Sequence, residues 1–309
     1  MLLNIIILVV SLFLLIKGAT LATKYAVGVA ESFNISKYVV GFIVIAVISV
    51  LPETLISINS AISGNPSLGL GTLFGSNVAD LTIAFAIIVA VAGRGIKVES
   101  KIIKTNIIYP FILLLPIILG FDGFYSRTEG IVLIIIGSIF YFLAFKNGMG
   151  EDTDVIVKGG RRKSFFLLIL SIGILLVGAH FVVTSATSLA ILLGINSIII
   201  GMFIIGLGTV VPELLFAFKS VKKNDDSLAI GDMLGTVLAD ATIVVGILAL
   251  ISPFSFPVKI VYITGVFMVI SSFVLFYFMK SGKTLTKKEA IILFIFWALF
   301  VFVELAFAN

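Results

Sequence analysis

The chain contains no cysteine and very little charge. Its 309 residues include one His, one Trp and seven Pro, and only 12% are Asp, Glu, Lys or Arg. Without cysteine there is no disulfide, no thiolate metal site and no cysteine nucleophile. A soluble domain carries about 25% charged residues. This chain therefore has too little charge to cover a surface that faces water.

Hydrophobic residues make up 60% of the chain, and the mean hydropathy is +1.28. The net charge of +5 could indicate nucleic-acid binding, but that function needs a basic patch on a soluble face. Here the basic residues lie in short gaps between apolar runs, as they do in membrane proteins. The composition predicts an all-α integral membrane protein that contacts the lipid bilayer and binds no nucleic acid. Protein partners are unknown.

The apolar runs predict ten membrane-spanning helices, since a span needs about 20 mostly apolar residues. They lie near residues 2–30, 38–63, 68–92, 105–121, 129–146, 165–192, 197–220, 228–251, 259–279 and 289–308. The first run has no basic residue before it, so we interpret it as a span and not as a cleaved signal peptide. Ten is an even number, so both termini are expected on the same side.

The Lys and Arg residues predict the orientation. With the N-terminus outside, 17 of the 21 basic residues fall in inward connections, and only Arg127 and Lys259 fall in outward ones. Cytoplasmic loops carry the Lys/Arg excess. We therefore predict a multi-pass protein of the cell membrane, with both termini outside and the central loop, residues 147–164, in the cytoplasm.

The two halves of the chain resemble each other. A shift of 160 residues without a gap aligns two Pro-Glu pairs and two Ala-Asp pairs, which are Pro52-Glu53 with Pro212-Glu213 and Ala79-Asp80 with Ala239-Asp240. We predict repeats over residues 1–146 and 165–309. Each half has five spans, an odd number, so the second repeat is inverted relative to the first. Inverted repeats are typical of secondary transporters, whose substrate site lies at the midplane where the halves meet.

Each repeat places two acidic residues inside predicted spans: Glu53 and Asp80 in the first, and Glu213 and Asp240 in the second. A carboxylate at the centre of a membrane helix costs roughly 2.5–3.5 kcal/mol. No symmetric pair of basic residues can neutralise them, because Lys17 and Lys24 align with uncharged residues. We therefore expect the four carboxylates to surround a cation taken from solution.

The prolines are expected to interrupt the helices that carry the two glutamates. Pro52 and Pro212 have no N–H, so the carbonyls four residues earlier lose a helical partner. Freed carbonyls at membrane depth can bind an ion. Together with the carboxylates they offer about six oxygens, which suits Ca²⁺. Hydroxyls at related positions add neutral oxygens, from Ser49, Thr209, Ser76 and Thr236. Gly71, Gly75, Gly231 and Gly235 are expected to allow close helix packing.

Other interpretations of these residues are possible. The prolines can be ordinary kinks, and the acids can be protonated structural hydrogen-bond donors. A cation channel would also use carboxylates and carbonyls, but it needs a continuous pore, and the residues around the Pro-Glu pairs are densely apolar. An intramembrane metal-dependent enzyme usually pairs its carboxylates with His, Lys or a nucleophile. The sequence therefore favours a transporter over an enzyme, without a resident cofactor.

At these residues the sequence resembles the calcium/cation antiporter superfamily, which includes sodium/calcium and proton/calcium exchangers. The pattern of that family is Gly-Thr-Ser-Leu-Pro-Glu in one span and Gly-Ser-Asn-hydrophobic-x-Asn/Asp in the next, in each inverted repeat. The first repeat here reads Ile48-Ser49-Val50-Leu51-Pro52-Glu53 and Gly75-Ser76-Asn77-Val78-Ala79-Asp80. The second reads Gly208-Thr209-Val210-Val211-Pro212-Glu213 and Gly235-Thr236-Val237-Leu238-Ala239-Asp240.

The resemblance implies an antiporter that exchanges Ca²⁺ for a monovalent cation, Na⁺ or H⁺, by alternating access. Ca²⁺ and the counter-ion would occupy overlapping sites in turn, and the first and sixth spans would slide against the rest. Glu53 and Glu213 would be the central Ca²⁺ ligands, completed by backbone oxygens of Ser49 and Thr209. The flanking cation positions would be lined by Asp80, Asp240, Ser76 and Thr236, with the carbonyls of Ala46 and Gly206 nearby.

Three positions depart from the pattern of sodium/calcium exchangers. Val50 and Val210 stand where those exchangers carry Ser, whose hydroxyl would be a sodium ligand. Asp80 stands where some relatives have Asn. Both differences favour protons, because clustered carboxylates repel one another. The family as a whole favours sodium, so the counter-ion stays open at this point.

Three further polar residues are expected to lie outside the site. Asp232, whose repeat counterpart is Thr72, is expected at an interface, with a role in a vestibule as the alternative. Glu304 lies near the predicted outer end of the last span and is expected to be in contact with water. His180 is the only histidine, and a structural role is expected for it rather than proton relay.

Overall fold

The structure is a computed structural model, and it describes residues 1–30, 42, 45–98, 108–148 and 161–307. The elements of the first half are α1 (Leu2–Ala30), α2 (Ala46–Ser49), α3 (Leu51–Ile62), α4 (Pro66–Ala79), α5 (Phe85–Ala92), β1 (Ile96–Lys97), α6 (Tyr109–Ile112), α7 (Leu115–Leu119), β2 (Phe124–Tyr125) and α8 (Arg127–Gly148). Those of the second half are α9 (Arg161–Leu193), α10 (Ser197–Ile200), α11 (Gly206–Lys222), α12 (Asp226–Ala239), α13 (Val245–Ile251), β3 (Phe254–Ser255), α14 (Val258–Gly282), β4 (Thr284–Leu285) and α15 (Lys287–Phe307). Within the described ranges, π-helical turns join neighbouring helices at Asp80–Ala84, Gly201–Ile205 and Asp240–Val244.

The described residues contain eight helices that are long and apolar enough to cross a membrane. They are Leu2–Ala22, Pro66–Ala92, Arg127–Ala144, Phe165–Leu193, Ser197–Lys222, Asp226–Ile251, Val261–Gly282 and Lys287–Phe307. Two shorter apolar helices, Ala46–Ile62 and Tyr109–Leu119, coincide with the predicted second and fourth spans. Those two spans are predicted to begin at residues 38 and 105, outside the described residues, as is most of the predicted linker. The all-α membrane class is confirmed, and the count of ten stays a prediction.

Secondary structure recurs at the same interval as the sequence. The helices α4 and α12 begin and end 160 residues apart, and so do the π-helical turns that follow them. The starts of α8 and α15 also share one capping arrangement. Ser126 N–H donates to Glu129 Oε2 at 2.7 Å, and Thr286 N–H donates to Glu289 Oε2 at 2.7 Å. Each is a reciprocal capping box, so even the chemistry of helix initiation is duplicated.

Two short antiparallel ribbons join one half of the chain to the other. β1 pairs with β4, with Ile96 opposite Leu285, and β2 pairs with β3, with Tyr125 opposite Phe254. Each ribbon takes one strand from each half, so the halves are held together at both.

An ion pair strengthens the junction beside the first ribbon. Arg94 donates to both carboxylate oxygens of Asp226, at 2.7 and 2.8 Å, and Lys97 N–H donates to the same carboxylate at 2.8 Å. The hydrogen bonds to Asp226 stabilise the guanidinium and raise the pKa of Arg94. Paired, bidentate geometry of this kind is the strong form of a charged hydrogen bond. It attaches the start of α12 to the segment between α5 and β1 of the first half.

The helices α1 and α9 pack against each other through glycines 160 residues apart. A Cβ added at Gly18 would lie 3.0 Å from Leu175 Cγ, and one added at Gly178 would lie 3.1 Å from the backbone nitrogen of Leu15. Their buried residues form a hydrophobic cluster separate from the main core, and Ile56, Leu68, Ile200 and Ile205 of neighbouring elements also belong to it. The two helices therefore pack on each other and, through the same cluster, on the rest of the molecule.

The two prolines do not affect their helices equally. In the first half α2 ends at Ser49 and α3 begins at Leu51, just before Pro52. In the second half α11 continues through Pro212 from Gly206 to Lys222, so the predicted break at Pro212 is wrong. Proline removes one helical hydrogen bond and can kink a helix without ending it. In the second half the backbone before Pro212 is irregular at the π-helical turn that precedes α11.

Candidate cation-binding site

The glutamates of the two Pro-Glu pairs lie in the interior of the molecule. Glu53 is in the first turn of α3, Glu213 is inside α11, and each side chain is only 1% exposed. Each follows a proline that cannot donate a backbone hydrogen bond, so the carbonyls of Ile48 and Gly208 lack that helical donor. Each half therefore places a carboxylate beside irregularly bonded backbone.

The two aspartates occupy equivalent places on the neighbouring helices. Asp80 begins the π-helical turn after α4, and Asp240 begins the one after α12. They are 1% and 0% exposed. Single π-helical turns inside α-helices are frequent at functional sites. The sequence does not predict these turns, because hydrophobic periodicity describes each span as one uniform helix.

Glu213 is repelled electrostatically by the other three carboxylates and by that of Asp232. Asp240 Oδ2 accepts a hydrogen bond from Ser76 Oγ at 3.3 Å. The remaining oxygens of the four side chains make no hydrogen bond of ordinary geometry among the described residues, although Glu53 lies near the Thr209 hydroxyl and Asp80 lies near Glu213. Burying unpaired carboxylates is very unfavourable unless a positive charge compensates them. The arrangement is therefore suited to one or more bound cations.

The neutral groups predicted for the site are buried around these acids. Ser49, Ser76, Thr209 and Thr236 are at most 2% exposed. Thr209 Oγ1 donates to the carbonyl of Gly206 at 3.0 Å, and the carbonyl of Ala46 accepts the N–H of Val50 at 2.9 Å. These hydroxyl and carbonyl oxygens keep lone pairs after such hydrogen bonds, so they remain available to a cation.

Acidic side chains alone do not make a complete site. Within the described part of the chain, no three acidic or histidine side chains stand close enough together to hold a metal ion. Ca²⁺ takes about 6–8 oxygen ligands, including carbonyls and hydroxyls as well as carboxylates. A cation bound by Glu53 and Glu213 would therefore take the rest of its ligands from hydroxyl and backbone oxygens.

Glycines bring the two halves together at the site. A Cβ added at Gly75 of α4 would lie 2.4 Å from the carbonyl oxygen of Met202, and one added at Gly235 of α12 would lie 2.4 Å from that of Phe42. Phe42 and Met202 are themselves 160 residues apart. Each half thus inserts a glycine face against the backbone of the other. The prediction of close packing is confirmed at Gly71, Gly75 and Gly235, since an added Cβ at Gly71 would also meet the backbone, 2.2 Å from Ile198 O.

Asp232 is a site residue that was not predicted from the sequence. It was expected at an interface, but its side chain is 0% exposed and accepts a hydrogen bond from Ser49 Oγ at 2.8 Å. It also repels Glu53 electrostatically. The alignment of the two repeats offered one indication of a role for Asp232. Its counterpart Thr72 is uncharged, so the carboxylate serves a purpose that is specific to the second half.

The expectation for Glu304 is also wrong. Its side chain is 0% exposed rather than in contact with water, and Oε2 accepts a hydrogen bond from Thr264 Oγ1 of α14 at 3.0 Å. Sequence position near a helix end does not show which face of the helix is covered, and here α14 covers it. His180 is exposed on α9, where its ring contacts Phe181 edge to face.

Buried acids shared between two repeated halves of an all-α membrane protein define a class, the secondary cation transporters. Comparison with known proteins identifies the family within that class. The profile of the family described as "Sodium/calcium exchanger protein" matches residues 3–146 and 163–306. The chain therefore belongs to the sodium/calcium exchanger family. It is a membrane transporter and not an enzyme.

Individual relatives agree with this assignment along nearly the whole chain. The sodium/calcium exchanger MaX1 of Methanosarcina acetivorans is 26% identical and covers 97% of this chain and 98% of its own length. The inner membrane protein YrbG of Escherichia coli is 28% identical and covers 82% of this chain and 81% of its own length. A solved structure of the sodium-calcium exchanger NCX_Mj, soaked with Na⁺ and Sr²⁺, superposes with a TM-score of 0.73 at 25% identity, covering 97% of this chain and 98% of the other.

Proposed function

We propose that this protein exchanges Ca²⁺ for a monovalent cation across the cell membrane by alternating access. The observation that carries the proposal is the group of four buried carboxylates, from Glu53, Asp80, Glu213 and Asp240, whose oxygens make almost no hydrogen bond of ordinary geometry among the described residues. Support comes also from MaX1, which is named a sodium/calcium exchanger. Ca²⁺ is the substrate of the site and not a resident cofactor.

Glu53 and Glu213 are the proposed central ligands, because they stand at equivalent positions of the two halves and both are buried beside a proline. Asp80 and Asp240 would line the flanking positions, together with the hydroxyls of Ser76 and Thr236. Two central carboxylates neutralise one Ca²⁺. A monovalent ion in the same place leaves net negative charge, so the site discriminates between the two kinds of cation by charge as well as by size.

The packing of α1 and α9 supports the proposed movement. The two helices pack through Gly18 and Gly178, and each contacts the other much more extensively than it contacts any other helix. A pair held together in this way can slide over the remaining helices as one body, as in shear movements of packed helices. The sliding would expose the central site alternately to the two sides of the membrane.

The counter-ion is a separate question, and two facts bear on it in opposite directions. Val50 and Val210 are 7% and 2% exposed, so two buried positions near the glutamates offer methyl groups where a hydroxyl would serve sodium. These valines favour a proton. The family name and the relative MaX1 favour sodium.

Uptake of ⁴⁵Ca²⁺ into proteoliposomes under imposed Na⁺ or pH gradients tests the function and identifies the counter-ion. We expect Ca²⁺ uptake to depend on an outward gradient of either Na⁺ or H⁺, and to stop when an ionophore collapses that gradient. Uptake at the same rate without any counter-ion gradient would indicate a channel and contradict exchange. Liposomes without protein, and a gradient of choline, are the matched controls.

Two serines are expected to strengthen exchange with sodium. In the variant Val50→Ser with Val210→Ser, each hydroxyl offers a neutral ligand near a central glutamate, which a monovalent ion can use without added charge. We expect the ratio of Na⁺-driven to H⁺-driven Ca²⁺ exchange to rise. A buried unpaired hydroxyl costs about 1–3 kcal/mol, so the variant should melt earlier without Na⁺ and recover with it. Full Na⁺-driven exchange by the wild type, unchanged by the serines, would refute the proton argument.

The proposed orientation is tested by labelling single cysteines, for which the chain, with no natural cysteine, is a clean background. Cysteine introduced at Asp154, in the predicted cytoplasmic linker, should react with a membrane-impermeant maleimide only after the membrane is opened. Cysteine introduced at Asp122, in the exposed turn before β2, should react in intact cells. Labelling of both from one side would contradict the predicted number of spans between them.

A further inference from the structure

Asp232 breaks the symmetry of an otherwise paired site. Its counterpart in the first half is Thr72, which is equally buried and whose hydroxyl donates to the carbonyl of Leu68 at 2.9 Å. The other four acids of the site form two matched pairs, at positions 53 and 213 and at positions 80 and 240. The second half therefore carries a carboxylate that the first half does not.

Only one of the two oxygens of the Asp232 carboxylate accepts a hydrogen bond among the described residues. Oδ1 accepts the hydrogen bond from Ser49 Oγ at 2.8 Å, while Oδ2 has no hydrogen-bond partner among the described residues. Its neighbour Thr236 donates to the backbone carbonyl of Asp232 and not to the carboxylate. Arg94, beside the start of this helix, is already held by both oxygens of Asp226. Asp232 forms no ion pair among the described residues, so a proton or a cation from solution must neutralise it.

Ser49 connects Asp232 to the central site. It lies four residues before Glu53, across the interruption between α2 and α3, and Glu53 is close enough to Asp232 to repel it electrostatically. Its hydroxyl donates a hydrogen bond to Asp232, so the lone pairs of Oγ remain free for a cation. Asp232 Oδ2 and Ser49 Oγ are therefore two oxygens that a cation can bind on its way to or from Glu53.

The position of Asp232 along its helix gives the site a direction. It lies six residues from Asp226, where α12 begins, which is about 9 Å along the helix, whereas Asp240 is about 21 Å along it. Asp232 thus stands between the central carboxylates and the end of the molecule that carries the Arg94–Asp226 pair. In the inverted first half, Thr72 holds the equivalent place towards the opposite end.

We infer that Asp232 and the Ser49 hydroxyl form a cation-binding position on one side of the central site, through which Ca²⁺ reaches Glu53 from the end marked by Arg94. One carboxylate and one hydroxyl provide too few ligands for a bare Ca²⁺ ion, so the position takes a divalent cation that still keeps part of its water. The inference rests on the proposed exchange function. It makes the transporter asymmetric, with higher apparent Ca²⁺ affinity on the Arg94 side.

Oriented proteoliposomes test the inference. Half-saturating Ca²⁺ is measured from each side for the wild type and for Asp232→Asn, which keeps the shape of the side chain and an acceptor for Ser49. We expect the half-saturating concentration to rise about tenfold on the Arg94 side, as for loss of a charged ligand, and to change less than twofold on the other side. Asp232→Thr is the second variant, because threonine occupies the equivalent buried place at position 72.

The decisive variant transfers the carboxylate to the other half. Asp232→Asn combined with Thr72→Asp should move the lower half-saturating concentration to the opposite side of the membrane. Equal changes on both sides, or a loss of maximal rate and melting temperature with unaltered half-saturation, would overturn the inference. A wild type that exchanges no Ca²⁺ under any gradient would overturn the proposed function. Normal exchange with unaltered half-saturation in both Asp232 variants would overturn the inference alone.

Discussion

Replacing Glu53 or Glu213 with glutamine is expected to reduce Ca²⁺ exchange about 100-fold or more. Each substitution removes one of two central charges from a buried site, and breaking a buried charged interaction typically costs 3–5 kcal/mol, where about 1.4 kcal/mol corresponds to a factor of ten. The amide retains the size of the side chain. The measurement is initial ⁴⁵Ca²⁺ uptake in proteoliposomes, normalised to the amount of incorporated protein.

Stability should move in the opposite direction to activity. In the absence of Ca²⁺, a glutamine relieves the repulsion among the buried carboxylates, so both variants should melt at or above the temperature of the wild type. Ca²⁺ should stabilise the wild type and not the variants, because a ligand raises stability only where it binds.

Glu304→Gln is the matched control for these two variants. Glu304 is as buried as the two central glutamates, but it is bound by Thr264 outside the group of four carboxylates. We expect it to retain exchange. Near-normal uptake by Glu53→Gln or Glu213→Gln would refute the central role of that residue, and a loss in Glu304→Gln of the same size would show that any buried carboxylate is equally sensitive.

A large loss of stability and of exchange is also expected when Gly75, which packs one half of the chain against the other, is replaced with alanine. In Gly75→Ala the new Cβ would stand 2.4 Å from the carbonyl oxygen and 2.6 Å from Cα of Met202, both backbone atoms. Neither can rotate away, so the helices must separate. Overpacking of this kind costs about 1–3 kcal/mol. Ser76 and Asp80 follow Gly75 along the chain, so separating the helices also displaces these two predicted ligands. We therefore expect the rate of exchange to fall about tenfold or more, since about 1.4 kcal/mol corresponds to a factor of ten.

Gly235→Ala is the symmetric variant and should behave in the same way, since its Cβ would meet Phe42 O at 2.4 Å and Ala46 Cβ at 2.5 Å. Gly173→Ala is the matched control. Gly173 lies within α9 with nothing near an added Cβ, so alanine should be neutral or stabilise by up to about 1 kcal/mol through helix propensity. Equal melting temperatures for all three variants would show that the halves do not meet through these glycines as tightly as the structure indicates.

Symmetry and its exceptions together describe how this site is built. Duplicated elements supply the paired acids, the π-helical turns and the reciprocal glycine contacts. The chain departs from symmetry at Asp232, where the second half adds a carboxylate, and at the prolines, where only the first half has an interrupted helix. Exchange requires a site open to each side in turn, and the two sides of a membrane differ in composition. Unequal halves allow the two states to differ in affinity.

The sequence by itself was sufficient for the membrane class, the paired motifs and the family. Long apolar runs require lipid, because no other solvent accepts them. Two Pro-Glu pairs and two Ala-Asp pairs at one offset identify duplicated chemistry, and the high energy of charge in lipid indicates that the four acids act together. These conclusions follow from composition and spacing, which do not depend on how the helices pack.

Tertiary structure decided what surrounds each polar group. Because they lie near predicted helix ends, Glu304 was expected to contact water and Asp232 was expected at an interface. Both are buried: Glu304 is hydrogen-bonded to Thr264 of α14, and Asp232 is hydrogen-bonded to Ser49 of the other half. The continuity of α11 through Pro212 was also decided by packing, since a helix held by neighbours on several sides can bend around one missing hydrogen bond. Burial and partners depend on residues distant in the chain, and hydropathy along one segment contains no information about them.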